Sequence, residues 1–544
     1  MTSDRITLET IRHGLTYISE EMGVALRRSA YSPNIRERAD HSCAIMDESG
    51  RTVGQAEHIP VHIGSLPIGV ANTLSYLRRE GVELEAGDMY VVNDPYIAGT
   101  HLNDIMLIRP VFHRGRLFAI LANKAHHVDV GGISPASISF TASELYQEGL
   151  VIMPVKLMDR DILKMGVARM IAANSRTPET VMGDLRAQIA ANLLGEKRLR
   201  ELLTRHDLAT FRESIEYILE TTQRMAVAEY GKMVQGSWRA VDYLEMDEDF
   251  LRIEASVSIG REGFSVDFTG TSSQVDRPLN AVLGVTNASV MFTVKTILSP
   301  EIPLNHGFMK TVQIEAPPGT LLNPLRPAPV AAGNLETSQR IVDVLYLALS
   351  KGMPDRVPAA SHGSMNNLMM GGVHPITGGR WAFYETIGGG GGGRYGLDGV
   401  NGVHTNMTNT MNTPIEVIER YYPIRFESYR LRYGSGGRGR WSGGMGIERS
   451  FTAKARIEVT IVGDRAKIPP WGLKGGEPGK PSQYLVRRKG GRIERLLSKD
   501  STVLNPGDTL IIRTAGGGGY GSPDEKHNKV NLMNHTIGIS DGPW

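Results

Sequence analysis

The chain has one cysteine, Cys43, among 544 residues, so no internal disulfide can staple it. That fits a reducing compartment. It also lacks an excess of either charge: 60 basic against 58 acidic residues leave a formal net charge of +2. Such balance gives no electrostatic case for nucleic acid or an anionic membrane as the main partner. Long apolar runs are missing too, since no stretch approaches the ~18 uninterrupted apolar residues of a membrane span. The opening MTSDRITLETIRHGLTYISEEMG is too polar for a signal peptide. The expectation is a cytoplasmic protein. At roughly 100–200 residues per domain its length allows about three domains and sizeable cores.

Nucleotide motifs are wanting as well. GSGGRG at 434–439 matches a dinucleotide fingerprint in form, but it leads into RWSGGMGIERSF, which reads as loop and strand where a helix is required. LKGGEPGKPS at 473–482 lacks the first glycine of a phosphate loop and has Pro481 where Ser or Thr should hold magnesium. No nucleophile-elbow sequence links the serines to a histidine and an acid. Cys43, beside an apolar strand, reads as a small buried residue.

Glycine is what the chain has in excess, 62 residues clustered in a few runs. Along the sequence the pattern predicts an α+β fold: strand-rich N- and C-terminal regions around a helical middle. Residues 1–157 form the first region, after an amphipathic opening helix over 8–28; a helical pattern intrudes only around 68–80. Residues 158–235 are helical, with Thr177 and Pro178 at a helix start and a break near His206–Asp207. Residues 236–440 are mixed. They hold a hairpin of Ile253–Ile259 with Phe264–Phe268, a helix near 337–351 and the run Gly388–Gly393. Residues 441–544 return to strands and end in a polar tail expected to be loosely held.

The most informative segment is NDPYIAGTHLNDIMLIRPVFHRGRLFAILANKAHHVDVGG, residues 93–132. Two apolar runs flank HRGR. If Arg114-Gly115 is the tip of a two-residue turn, antiparallel partners have numbers summing to about 229. Asn103 then faces His126 and Leu102 faces His127, so His101, Asp104, His126, His127 and Asp129 meet at one open end. Pro110 counts against the pairing, because it suits an edge strand. Imidazole and carboxylate together suit zinc, manganese or iron(II), and such an ion can polarise a carbonyl or generate hydroxide near neutral pH. Histidines at strand ends also commonly just bond to backbone. Asp40, in RERADHSCAI, is a further candidate from elsewhere in the chain.

His58 and His62 have i, i+4 spacing, but Pro60 between them argues against a shared helical face. The amides of Gly389, Gly390 and Gly391, with Arg394, could cradle an oxyanion or phosphate, or the run could simply pack tightly. His404 and Asn409, in GVHTNMTNTMNTPIE, offer polar groups for an amide substrate.

Taken in order, AEHIPVHIGS, NDPYIAGTHLND, NKAHHVDVGG, GNLETSQRIVD, YETIGGGGGGR, HTNMTNTMNTPIE and TAGGGGYG resemble the hydantoinase B/oxoprolinase family over nearly the whole chain. The resemblance implies a B-type subunit of an ATP-dependent cyclic-amide hydrolase, opening hydantoin, lactam or 5-oxoproline-like rings. A hydantoinase A-type partner would use the ATP and phosphorylate the substrate, in a hetero-oligomer such as a dimer of heterodimers. It implies a divalent metal at Asp40, His101 and His126, with Asp104 and His127 as alternative or supporting groups. Two further expectations stand beside it: a subunit of an acetone- or acetophenone-type carboxylase, and a non-catalytic assembly subunit. The histidine and acid clusters speak against the last.

Overall fold

The computed structural model describes residues 4–56 and 58–524. Helices and several separate sheets mix along the chain, the α+β architecture expected. The tail beyond Asp524 lies outside the described residues.

Asp4 caps the opening helix, Arg5–Ser29, by accepting from the amides of Ile6 and Thr7. Ile11, Leu15, Ile18, Met22 and Leu26 form its buried stripe. The first sheet has seven strands: β1 (His41–Asp47), β2 (Thr52–Ala56), β3 (Met89–Val92), β4 (Asp104–His113), β5 (Arg116–His126), β6 (Val155–Asp159) and β7 (Ile162–Leu163). Their order is β2-β1-β5-β4-β3-β6-β7, and every neighbouring pair is antiparallel.

Both faces of this sheet are covered, which is why its strands read as continuous apolar runs. Cys43, Ile45, Leu121 and Ala125 pack against the opening helix and the helix Pro178–Arg205. Ala44, Met46, Ile120 and Ala122 pack against Leu66 and Val70 of the helix Pro60–Arg79. That helix begins well before the expected 68–80. Pro60 occupies its first turn, where no amide is needed, and Pro67 is carried inside it.

The helical middle follows its pattern. Pro178–Arg205 and Leu208–Tyr230 are separated at His206-Asp207, and Asp207 caps the second by accepting from the Thr210 amide. A second sheet has the order β11-β10-β9-β8 and comprises β8 (Gly236–Met246), β9 (Asp249–Ile259), β10 (Phe264–Asp267) and β11 (Val312–Glu315). The expected hairpin is there, with Ile259 opposite Phe264 and Val257 opposite Val266.

Two further sheets follow. β12 (Asn367–Val373) and β13 (Arg380–Glu385) join the strands Ile457–Val462 and Lys499–Leu504. Ile424–Arg432 joins Gly446–Ala453, Thr509–Arg513, Gln483–Arg487 and Ile493–Leu496. Strands from before residue 440 thus pair with strands from after it. Between these sheets the glycine-rich segments 388–393, 434–446, 472–479 and 514–521 lie side by side. Their backbones bond to one another: Gly390 donates to Ala515 O at 3.0 Å, Gly393 to Gly518 O at 2.8 Å, and Gly517 to Gly444 O at 2.9 Å. A Cβ on Gly390 would stand 2.0 Å from Gly444 O, and one on Gly517 would stand 1.9 Å from Gly391 O. Only glycine allows chains so close.

Candidate metal centre

The β4–β5 hairpin turns at Arg114-Gly115, both at positive φ (49° and 75°), as a two-residue type I′ turn needs. Next to the turn the register is the expected one, His113 opposite Arg116 and Phe112 opposite Leu117. A β-bulge between Val111 and Phe112 then shifts it by one residue. At the open end Asp104, not Asn103, faces His126. A one-residue slip decides which side chains meet. Pro110 is tolerated in this inner strand because it lies beyond Met106–Ile108, the stretch that pairs with β3.

His101 enters from the loop before β4. Its Nε2 lies 3.1 Å from Asp104 Oδ1 and 3.1 Å from His126 Nδ1, and His126 Nδ1 lies 3.4 Å from Asp104 Oδ1. All three residues are buried. Two ligand atoms each about 2.1 Å from one ion, at angles between octahedral and tetrahedral, stand about 3.0–3.4 Å apart. The triangle therefore has the edges of three ligands of a zinc-, manganese- or iron-sized cation, and its N, N, O donor set suits those ions. The residues present fit the metal.

Around the triad, Asp104, His126, Asp40, His62, Asn334, Tyr384, Thr386, Thr408 and Thr410 line a cavity offering about 20 Å³ to a water-sized sphere. That holds one water or ion. Asn334 Oδ1 is buried there without a hydrogen-bond partner, and His62 Nε2 and Asp104 Oδ2 have only each other, 3.4 Å apart, a costly state that a bound ion with its water would relieve. Asp40 stands on this wall but outside the close triangle.

Burial alone would raise the Asp104 carboxyl. The His101 charge, and hydrogen bonds to His101, His126 and His62, outweigh it and hold the group well below the usual carboxylate range. Burial lowers His101, but Asp104 and Asp40 more than offset that and raise it. His126 is pushed down by burial. Its ring stacks on Tyr384, with centroids 4.7 Å apart and planes 15° apart.

His127 does not join. Side chains alternate along a strand, so His127 leaves on the other face, where its Nε2 donates to Gln188 Oε1 at 2.9 Å. Asp129 is likewise occupied, by Arg176 at 2.9 Å. The glycine amides expected to cradle a phosphate are taken: Gly389 donates to Val403 O, Gly390 to Ala515 O and Gly391 to Val400 O. Arg394 and Asn409 are exposed and do not line the cavity. His404 stands beside Arg38 instead, and burial lowers its imidazole to about 4.

Five contributors are missed by local pattern. His62 sits on the first turn of the Pro60–Arg79 helix, Nδ1 3.0 Å from Ser42 Oγ and Nε2 3.4 Å from Asp104 Oδ2. The proline set against it is what starts that helix. Tyr384, Thr386, Thr408 and Thr410 come from some 280 residues downstream, and no local pattern links them to the hairpin.

Fold and site together define an α+β protein with a buried His–Asp–His cluster whose donor atoms have the spacing of ligands to a divalent cation. The hydantoinase B/oxoprolinase family model matches residues 4–523, and the chain belongs to that family. It is 49% identical to an uncharacterized protein of Methanocaldococcus jannaschii, over 97% of this chain and 92% of that one. It is 34% identical to 5-oxoprolinase of Saccharomyces cerevisiae over 95% of this chain, which spans only 42% of that enzyme. Among solved structures, the ATP-dependent caprolactamase of Pseudomonas jessenii superposes with a TM-score of 0.89 at 28% identity, over 96% of this chain and 92% of that one. Among the described residues, no helix is long and apolar enough to cross a membrane.

Proposed function

We propose that this chain is the B-type subunit of an ATP-dependent cyclic-amide hydrolase, completing ring opening of a substrate phosphorylated by a hydantoinase A-type partner. The observation that carries the reading is the buried triangle of His101 Nε2, Asp104 Oδ1 and His126 Nδ1, two of whose members line a small cavity. The chain's likeness to a caprolactamase and a 5-oxoprolinase supports a lactam-type substrate.

An unstrained amide resists water, and phosphorylating its oxygen supplies the leaving group. A divalent cation held by His101, Asp104 and His126, with Asp40 on the same wall, would activate water and stabilise charge on the tetrahedral oxygen. His62 steadies the outer oxygen of Asp104. Stacking on Tyr384 fixes the His126 ring. The apolar walls from Ile59, Val61, Leu335, Met365 and Met407 exclude bulk water.

The test is reconstitution with the A-type partner, ATP and defined metals, offering 5-oxoproline, hydantoin and caprolactam beside ketone plus bicarbonate. Ring opening is expected, and His101→Ala should abolish it together with stoichiometric metal, while circular dichroism stays unchanged. Full turnover in His101→Ala would remove the triad from the reaction. Carboxylation of the ketone in place of ring opening would move the chain to the carboxylase branch.

A further inference from the structure

Four arginines are among the largest fully buried side chains: Arg38, Arg340, Arg449 and Arg465. Three have carboxylates. Arg340 pairs with Asp242 and Asp464, Arg449 with Glu385, and Arg465 with Asp242 and Asp343. Arg38 forms no ion pair among the described residues. Its Nη1 donates to Tyr384 O at 3.1 Å, and its Nη2 to Thr386 Oγ1 at 2.9 Å and Thr410 Oγ1 at 3.4 Å. Nε is buried with no acceptor. The Tyr384 ring, 4.7 Å from the guanidinium carbon, offers a π face but no negative charge. A buried guanidinium left so is expensive unless something anionic completes it.

Its surroundings face the metal cavity. Tyr384, Thr386, Thr408 and Thr410 line that cavity with Asp104 and His126. Thr386 and Thr410 oxygens stand 2.7 Å apart, and Thr408 and Thr410 oxygens 3.4 Å apart. Arg38 donates to two of these oxygens, so their lone pairs are engaged. Three hydroxyl protons serve two mutual contacts, which leaves one to donate into the cavity. Ala39, at a φ of 55°, turns the chain between Arg38 and Asp40 in a conformation rare for a residue with a side chain.

We infer that Arg38, through Thr386, Thr408 and Thr410, forms an oxyanion site beside the His101–Asp104–His126 cluster and takes the phosphoryl group of the activated substrate. The inference rests on the proposed reaction and replaces the glycine run as the place where the phosphoryl group is held. Arg38 is not in the cavity lining, so it acts on the anion through the threonine hydroxyls it holds, and a positive charge behind hydroxyl donors favours an anionic oxygen. The cavity's free space is water-sized, so the anion enters by displacing the Met407–Thr410 wall. That wall belongs to a segment without helix or strand.

The test is titration of the purified full chain with inorganic phosphate and, separately, acetate, followed by calorimetry and thermal melting. Phosphate should bind and raise the melting temperature, as any ligand of the native state does, and acetate at equal concentration should not. Arg38→Gln should weaken phosphate at least tenfold. Arg38→Lys should weaken it less, keeping the charge but not the fork. If Arg38→Gln fails to fold, Thr410→Val serves, with an expected loss of about threefold to tenfold. Equal phosphate binding by wild type and the folded variants, or none by wild type, overturns the site. Acetate binding as well as phosphate overturns the phosphoryl assignment. Arg38-dependent phosphate binding in a chain whose reconstituted complex opens no ring leaves the site standing and the proposed reaction fallen. Ring opening by Arg38→Gln at the wild-type rate removes this site alone.

Discussion

Replacing Gly390 by alanine separates the two meanings of the glycine run. The new Cβ would stand 2.0 Å from Gly444 O and 2.3 Å from Gly517 N, both backbone atoms that cannot rotate away. Forcing a methyl into such packing costs about 1–3 kcal/mol. The displaced chains also strain the Gly390–Ala515 and Gly517–Gly444 hydrogen bonds, 3.0 and 2.9 Å long, each worth about 0.5–1.5 kcal/mol. The stiffer unfolded chain returns about 0.4–1 kcal/mol, so a net loss of about 1–5 kcal/mol is expected. Denaturant unfolding measures it, with Gly490→Ala as the control, because nothing lies within 4 Å of a Cβ there. A Gly390→Ala protein within about 1 kcal/mol of wild type that has lost phosphate binding would refute the packing argument and return the phosphate to these amides.

Two more outcomes follow from the same geometry. His127→Ala should lower stability by about 2–4 kcal/mol, through the cavity and the unpaired Gln188, yet leave metal content at the wild-type level by elemental analysis. Lost metal would place His127 on the cluster after all. Glu148 accepts from the amides of Val330 and Ala331 at 2.9 Å each, and burial pushes its carboxyl up to about 8. A raised folded value means stability present below about pH 4.5 that fades as pH rises through 8. Glu148→Gln keeps the acceptor without the proton, so its melting temperature should gain on wild type between pH 5 and about 8.5. Parallel curves would show that Glu148 is ionised in the fold.

Local pattern was enough to specify much of this protein. Helical spacing marked the Arg5–Ser29 stripe, Thr177-Pro178 and the break at His206-Asp207 marked the two long helices, and alternation marked the β9–β10 hairpin. Those signals are properties of neighbouring residues and survive without tertiary context. Arg114-Gly115 likewise fixed the turn that folds His101 and His126 toward each other. What local pattern could not supply was the count of residues beyond the turn. A single bulge at Val111–Phe112 exchanged Asn103 for Asp104 opposite His126.

Only the assembled fold decided the rest. A proline read as a barrier became the first turn of the helix that delivers His62. The glycine run, able on paper to cradle an anion, has its amides satisfied by backbone carbonyls, Val400 and Val403 close by and Ala515 and Gly518 more than a hundred residues away. The cavity wall opposite the hairpin comes from residues 334–410, and an arginine two positions before Asp40 meets two threonines some 350–370 residues later. Sequence carries the valence of each side chain. Which valences are left unfilled is settled only when distant chains pack together and water is shut out.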